Sequence, residues 1–365
     1  MPRSPLTFLL VVVPTLLALG CAGLGTGTGS ADLAACPLVD GDRGVCVLRR
    51  VPPQYPFDAL DAGGEARVLV EFSVDESGVV RDAEAIALIG NDAFVEPTLR
   101  ALRAWRYAPA MRDGVPVRQD GIRVAIPYRI GAIGGEPGAR PNQRAALIKI
   151  FDAIERKDFE GGRQALTKID AWKWPNLYEA GYRDFVHGVF AFADGDSGAA
   201  VDRLLAASRS PAFHVGEAGY RRSLIWLVRA ANLAEQYGEA LRAADELIAA
   251  AGVSLLPPDI LKIRREVEVM RETDAAISRD ITLGAAYGRA GLAEIRHVPL
   301  RRQIRLDAIG DSFLTTVRIG CDGVTEIREA SVGMTIELQS DWADCSLDLY
   351  GVPGTLARVV ELPAA

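Results

Sequence analysis

The stretch ARVLVEFSVDESGVV, residues 66–80, decides the fold of the first folded part of this chain. Apolar side chains occupy every second position of its first half, at Val68, Val70, Phe72 and Val74. This alternation predicts a β-strand with one strongly apolar face. The turn at residues 75–78 ends in a glycine, which can take positive φ, and it leads into a second predicted strand from Val79 to about Leu88.

The sequence beyond this hairpin predicts a helix and a third strand. Apolar side chains recur at helical spacing at Phe94, Leu99, Leu102 and Trp105. Asn91 or Asp92 is the predicted cap, and Pro97 lies in or near the first turn, where its missing N–H costs little. Alternation returns over residues 122–128, where Pro127 cannot donate to a ladder. The third strand is therefore predicted to be an edge strand or to end there.

Several blocks occur in an order that resembles the C-terminal domain of TonB proteins. They are PPQYP (52–56), ARVLVEFSVDESGVV (66–80), LRALRAWRYAPA (99–110) and DGVPV (113–117). The resemblance implies a ββαβ domain over residues 47–132. One departure is Glu96-Pro97-Thr98, where the family more often has small helix formers; this changes the predicted helix start but not the fold.

What such a domain does is implied by the resemblance alone. TonB proteins bind a short receptor peptide, the TonB box, which adds as a strand beside the last strand of the sheet. An exposed strand edge offers unpaired N–H and C=O groups that a partner chain can satisfy. The implied partner-binding residues are Gln119, Ile122, Val124, Ile126 and Tyr128 on the edge, with Arg50, Gln54 and Tyr55 on the neighbouring segment. The alternative for Tyr55, Trp105 and Tyr107 is ordinary core packing.

The N-terminus has the features of a lipoprotein leader. Arg3 precedes the apolar run LTFLLVVVPTLLAL, residues 6–19, which has the length of a signal-peptide core and is short for a membrane span. Residues 18–21, Ala-Leu-Gly-Cys, resemble a lipobox with its first two residues in swapped order. The prediction is a signal peptide over 1–20, a lipid on Cys21 and a glycine-rich tether over 21–46. The alternative is a plain secretory signal with Cys21 as a free thiol.

The predicted location is the cell envelope, facing the periplasm. Acyl chains on Cys21 would anchor the protein firmly in a membrane, and Ala22 in place of Asp favours the outer membrane. The net charge of −7 gives no general attraction for nucleic acid. Because His187, His214 and His297 are far apart in the sequence, no metal site and no cofactor are predicted.

Cysteine spacing fits an oxidising compartment. Besides Cys21, the chain has Cys36, Cys46, Cys321 and Cys345, which form two local pairs. Cys36–Cys46 and Cys321–Cys345 are the simplest of three possible connectivities. The alternative is that one or both pairs stay reduced.

The rest of the chain predicts two further modules in an α+β multidomain protein. After the Gly/Pro linker at 131–142, residues 143–275 read as helical hairpins whose second helices begin near Phe159, Ser197 and Gly238, similar to a degenerate tetratricopeptide array. Residues 280–365 predict a small antiparallel β domain with a hairpin at residues 321–323. Its alternating stretches are 293–306, 313–319, 324–329, 334–338 and 356–362.

No catalytic motif is found, so the predicted function is protein binding in the envelope. The first hypothesis is a module that binds a partner strand, with a homodimer possible. A TonB-type energy transducer is an alternative, although a lipid anchor cannot receive force from an inner-membrane motor as a transmembrane helix does. A scaffold that acts through the helical array is another.

Replacing the predicted lipidation site tests the leader. Cys21→Ala should abolish incorporation of radiolabelled palmitate, because the acyl chains attach to that thiol. Cys36→Ala is the matched control and should label like wild type. Equal labelling of the Cys21→Ala variant would refute the lipid anchor.

Overall fold

The computed structural model describes residues 43–130, 138–210, 218–284, 293–321, 324–339 and 344–363. The predicted leader, Cys21, Cys36 and most of the predicted tether lie outside these ranges. Residues 43–46 of that tether are described, and Cys46 already belongs to the first strand, so the predicted boundary after residue 46 is too late. The described residues form three modules that contact one another. We call them the N-terminal module (43–130), the helical module (138–273) and the C-terminal module (277–363).

The N-terminal module contains the predicted ββαβ order with short additions. Its elements are β1 Cys46–Arg49, α1 Phe57–Asp61, β2 Ala66–Val74, β3 Val80–Ile89, α2 Val95–Arg103, β4 Arg106–Ala108, β5 Ala110–Arg112, β6 Val115–Val117 and β7 Gln119–Tyr128. The main sheet has the antiparallel order β3-β2-β7, and β1 pairs with β4 while β5 pairs with β6. The predicted edge position of the last strand is confirmed by this order.

The apolar face of β2 is the core of the N-terminal module. Val68, Val70, Phe72 and Val74 are all buried, as the alternation predicts. Phe94 and Leu102, which precede and lie within α2, pack against them. The predicted cap is also present, since the Asn91 side chain accepts from the Ala93 N–H at 2.9 Å and starts the turn that leads into α2.

Gly78 in the turn between β2 and β3 is fixed by its contacts. Its φ is +80°, and a Cβ there would lie 1.9 Å from the Tyr107 carbonyl oxygen. Its own carbonyl accepts from the Tyr107 N–H at 2.9 Å. The turn therefore needs glycine both for its backbone conformation and for the close approach of β4.

The helical module consists of antiparallel hairpins. Its helices are α3 Pro141–Glu155, α4 Phe159–Asp170, α5 Leu177–Ala193, α6 Ser197–Ser208, α7 Ala218–Leu233, α8 Tyr237–Ala251 and α9 Pro258–Glu272. Their small and branched apolar residues share one continuous core.

The same turn joins the two helices of each hairpin. Lys157, Gly195 and Glu235 have positive φ values of 58°, 84° and 57°. Each is followed by a residue that precedes the next helix, and two of these are caps, Asp158 and Asp196. The hairpin repeat is thus present, but the predicted tetratricopeptide likeness is not borne out, since the spacing exceeds the roughly 34 residues of that family.

The C-terminal module is a sandwich of two antiparallel sheets. Their orders are β13-β10-β15-β8 and β12-β11-β14-β9. The strands are β8 Ile277–Thr282, β9 Ala293–His297, β10 Gln303–Ala308, β11 Thr316–Cys321, β12 Val324–Glu329, β13 Thr335–Glu337, β14 Ser346–Gly351 and β15 Leu356–Leu362.

Three details of this module differ from the sequence prediction. Strand β8 starts at Ile277, before the predicted boundary at residue 280. The predicted stretch 293–306 divides into β9 and β10, which lie in different sheets. Strand β14 was not predicted, because the polar residues Asp348 and Tyr350 alternate with only two leucines.

One of the two predicted disulfides is present among the described residues. Cys321 and Cys345 form a disulfide with a Cα–Cα distance of 4.2 Å, which ties the end of β11 to the start of β14. Cys46 is disulfide-bonded. Because Cys36 lies outside the described residues, the pair Cys36–Cys46 stays a prediction.

The helical module contacts the N-terminal module through Trp174 and Arg140. The Trp174 ring lies 6.3 Å from the Phe94 ring and belongs to the rim of the N-terminal core. Arg140 donates to the Ala62 carbonyl at 2.8 Å and to the buried Glu179 carboxylate at 2.6 Å. The chain that leaves the linker is therefore fixed to both modules.

The helical module contacts the C-terminal module through Arg301. This buried guanidinium donates to the carbonyls of Met270 at 2.6 Å, Thr273 at 2.8 Å and Ala275 at 2.7 Å. These carbonyls lie at the end of α9 and in the segment that leads to β8, where a helix leaves acceptors without intrahelical partners. Arg301, a residue of the C-terminal module, thus donates to the carbonyls at the end of the helical module.

Replacing Arg301 tests this contact. Arg301→Met should lower the free energy of unfolding by about 2–4 kcal/mol, because several buried carbonyls lose their donor. Urea denaturation followed by circular dichroism measures the change. Arg305→Met, which removes a half-exposed ion pair with Asp307, should stay close to wild type. Equal effects of the two substitutions would contradict the assignment.

Candidate functional site

The candidate site is the free edge of β7. This strand pairs on one side with β2, and within the described residues no strand pairs with its other side. The edge is long, since β7 runs from Gln119 to Tyr128. Such an edge carries backbone donors and acceptors that an added strand can use.

Pro127 shows which backbone groups of β7 face the free edge. Proline has no N–H, so in an edge strand it occupies a position whose nitrogen points away from the ladder. Pro127 lies opposite Arg67 in an unbroken register with β2. Because this direction alternates along a strand, Arg123 and Ala125 present both N–H and C=O outward, and Pro127 presents its C=O.

Most side chains predicted to bind the partner belong to the core side of β7. Ile126 and Tyr128 are buried, while Ile122 and Val124 are half-buried and pack against the same cluster. A partner strand would therefore meet mainly the backbone at these positions. Their role in binding a partner stays a prediction.

The segment before α1 follows β7 on the core side. At one end the Val45 N–H donates to the Gln119 side-chain oxygen at 3.0 Å. At the other end the Tyr55 ring lies 5.5 Å from the Tyr128 ring. Residues 45–55 therefore run along β7 in the same direction and form one wall beside the free edge.

Arg50 and Gln54 are exposed on this wall, as are Arg49 and Pro52. The Arg50 guanidinium lies 4.9 Å from the centre of the Trp105 ring, which fixes its direction. Gln54 is exposed just before Tyr55. Both could contact a docked segment, as the resemblance implies.

Tyr55 is a core residue as well as a member of the wall. Its ring meets Phe94 and Tyr128 edge to face at 5.5 Å, and its hydroxyl donates to the Gly64 carbonyl at 2.6 Å. Burial, with the nearby charge of Glu65, raises the pKa of Tyr55 to about 12. Trp105 and Tyr107 are also buried, so the core-packing alternative accounts for all three aromatic side chains.

The opposite face of the sheet carries a charged pair in its centre. Glu71 of β2 and Arg123 of β7 lie opposite each other, and the Arg123 Nε lies 2.5 Å from the Glu71 carboxylate. In an isolated domain this face would meet water. Here it is covered by the sheet β12-β11-β14-β9 of the C-terminal module.

Arg123 reaches across to that sheet. It bonds to Asp348 at 2.9 Å and to Glu294 at 3.2 Å, and it also donates to the Tyr350 hydroxyl. Asp348 in turn accepts from Arg296 at 2.8 Å. The arginine is therefore held by two modules at once.

Arg318 completes the network from the C-terminal side. It bonds to Glu71 at 2.7 Å and donates to the Gly121 carbonyl of β7 at 2.8 Å. The strand register places Arg318, Asp348 and Arg296 side by side on β11, β14 and β9. Three arginines and three carboxylates thus balance their charges between the two sheets.

The pKa directions agree with this geometry. Burial alone would lower the pKa of Arg123, but the charges of Glu294 and Asp348 outweigh it and raise that pKa. Burial would raise the pKa of Asp348, yet the bond from Arg296 and the charge of Arg123 hold it below its usual range. Both groups therefore stay charged over the ordinary pH range.

Sequence reasoning missed this network for a clear reason. Glu71 and Arg123 alternate with apolar residues, which is also the pattern of a solvated strand face. Their partners lie about two hundred residues further along the chain, and no local pattern connects them. The only available signal was a charged residue opposite another in two predicted neighbouring strands.

The described residues contain no arrangement that indicates metal chemistry or membrane spanning. Among them, no group of three or more His, Cys, Asp or Glu side chains could hold a metal ion. Within the same part of the chain, every helix is too short or too polar to cross a membrane.

Replacing Arg123 tests whether the covered face is a real contact. Arg123→Met should lower the free energy of unfolding by about 3–5 kcal/mol, because it leaves Asp348 and Glu294 buried without their cation. Thermal or urea denaturation measures this. Arg358→Met, which breaks an exposed pair with Asp280, is the matched control and should change stability little. A stable Arg123→Met protein would mean that water fills this interface.

Comparison with known proteins gives one family. The profile of the family described as Gram-negative bacterial TonB protein C-terminal matches residues 51–130. Curated relatives called Protein TonB are 32% identical over 88 residues in Vibrio cholerae and 32% identical over 87 residues in Yersinia enterocolitica. Each match covers 24% of this chain, and 35% and 34% of the relative.

Another Protein TonB, from Pseudomonas aeruginosa, is 29% identical over 26% of this chain and 28% of its own. The chain thus spans about a third of the length of the curated relatives it matches. A solved structure of the TonB2 protein from Vibrio anguillarum aligns over 34% of this chain and 99% of its own, with 24% identity and a TM-score of 0.21. The family profile and the curated relatives thus show that residues 51–130 of this chain match the TonB C-terminal domain family.

Proposed function

We propose that this protein binds an extended segment of another envelope protein, which adds as a strand to the free edge of β7. The observation that carries the proposal is an edge strand whose outward backbone groups have no strand partner among the described residues. Main-chain hydrogen bonds would supply affinity, and the flanking side chains would supply specificity. This is a binding role without catalysis or a cofactor.

The walls on either side of β7 limit the docked segment. Residues 45–55 stand on the core side, and the C-terminal module stands on the other. Because Arg318 already occupies the Gly121 carbonyl at 2.8 Å, the usable edge begins at Arg123 and ends at Pro127. A strand of about five residues would fill it, since each residue advances about 3.3 Å.

The envelope location is part of the same proposal. The TonB C-terminal domain supports a partner in the cell envelope, and the leader supports a lipid on Cys21 with the chain facing the periplasm. An outer-membrane anchor would hold the β7 edge near receptors and other outer-membrane proteins. Energy transduction is not needed for this role, and neither are the helical hairpins.

A proline on the outward side of β7 tests strand addition. Ala125→Pro removes an outward N–H while keeping the ladder with β2, so it should weaken partner capture at least about tenfold without unfolding the protein. The measurement is in-cell photo-crosslinking from the exposed position of Arg129, next to the strand, followed by identification of the captured protein.

The control places proline on a different free edge. Ser278→Pro in β8 should leave the crosslink from position 129 unchanged. Circular dichroism and denaturation curves confirm that both variants fold. If Ala125→Pro folds and captures its partner as well as wild type, strand addition to β7 is wrong.

A further inference from the structure

A second cleft lies between the helical module and the C-terminal module. Its volume is about 540 Å³, which is within the range of ligand-binding clefts. One side is formed by Ser278–Thr282 of β8. The other is formed by the start of α6 and by the turn at residues 233–236 before α8, and Ile295 and Arg358 complete the lining.

The cleft runs along the edge of β8. Neighbouring residues of a strand point to opposite faces of its sheet, so a cleft on one face touches every second residue. This cleft touches five consecutive residues, 278–282. Strand β8 is also the last strand of its sheet and, within the described residues, pairs only with β15.

The hydrogen bonds at the end of β8 show which groups face the cleft. The Leu283 N–H donates to the Thr355 carbonyl at 2.9 Å, and the Leu283 carbonyl accepts from Gly354 at 2.8 Å. The backbone N–H and C=O of Leu283 therefore both point towards β15. Because the register from there back to Ile277 is unbroken, Ser278, Asp280 and Thr282 present their N–H and C=O to the cleft.

Arg279 gives this edge a chemical preference. Its side chain is half-buried, and it makes no hydrogen bond and no ion pair with the described residues. Burial lowers the pKa of Arg279, while Glu361, Asp202 and Glu235 act on it only from a distance. A half-buried cation without a direct partner is costly unless an acceptor reaches it.

The other charges of the cleft are already compensated or screened. Asp280 and Arg358 form a pair at 2.5 Å. Glu235 is exposed to water, which screens its charge. Arg279 is therefore the charged group of the cleft that most needs a ligand.

We propose that this cleft is a second strand-docking site, which binds an extended peptide of about five residues with an acidic side chain beside Arg279. The peptide pairs with the outward groups of Ser278, Asp280 and Thr282, and its carboxylate accepts from the Arg279 guanidinium. The proposal is independent of docking to β7, since the two edges belong to different modules.

Synthetic peptides test the site directly. The probe is a fluorescein-labelled, end-capped peptide TTVEVTT, titrated with the complete mature protein and followed by fluorescence anisotropy. Saturable binding is expected. The same peptide N-methylated at alternate amides cannot form a ladder and should lose binding, and TTVQVTT should bind about tenfold more weakly because it lacks the carboxylate.

Variants of the protein connect the binding to named groups. Ser278→Pro should abolish binding of TTVEVTT, because it removes an outward N–H at the edge. Arg279→Met should weaken TTVEVTT about tenfold and should not weaken TTVQVTT further. Arg305→Met on β10 is the matched control that should bind like wild type, and Ala125→Pro reports whether the peptide binds to β7 instead.

Four results would each overturn the proposal. They are no saturable binding of TTVEVTT, equal binding of the N-methylated peptide, no effect of Arg279→Met, and a loss caused by Ala125→Pro but not by Ser278→Pro. The two peptide comparisons use the unmodified protein, so they decide the question even if a variant fails to fold. The last result would place the peptide on β7 instead.

Discussion

The arrangement of this protein depends on a buried exchange of charges between two sheets. The Arg123 side chain extends from the N-terminal sheet and forms ion pairs with Asp348 and Glu294 in a sheet of the C-terminal module. Taking these groups out of water is costly, and only their mutual contacts offset the cost. The network therefore specifies how the C-terminal module lies on the N-terminal module, and through Arg318 it also determines how much of the β7 edge stays open.

Local sequence patterns were sufficient to predict the main helices and strands and the position of β7 at the edge of its sheet. The alternation from Val68 to Val74 placed β2, and Pro127 placed the last strand at the edge of its sheet. In the helical module the predicted starts near Phe159 and Ser197 agree with the structure, where Asp158 and Asp196 cap the free N–H groups of these helices. These features are set by neighbours in sequence, so a single sequence contains them.

The contacts between modules could not be predicted in the same way. Trp174 completes a core that belongs to another module. Arg301 donates to carbonyls at the end of the helical module from within the C-terminal module. Arg123 and Arg279 look alike in the sequence, as charged residues within strands. One is saturated by ion pairs and the other has none among the described residues. That difference arises only when distant segments meet.

The three modules also close a ring, since each of them touches the other two. Trp174 and Arg140 join the first pair, Arg301 the second and Arg123 the third. In a ring, breaking one contact does not release a module, because the other two keep the separated surfaces at a high effective concentration. Hinge bending between any two modules is therefore suppressed. A pull on one edge strand would be shared among all three modules instead of extending a single linker.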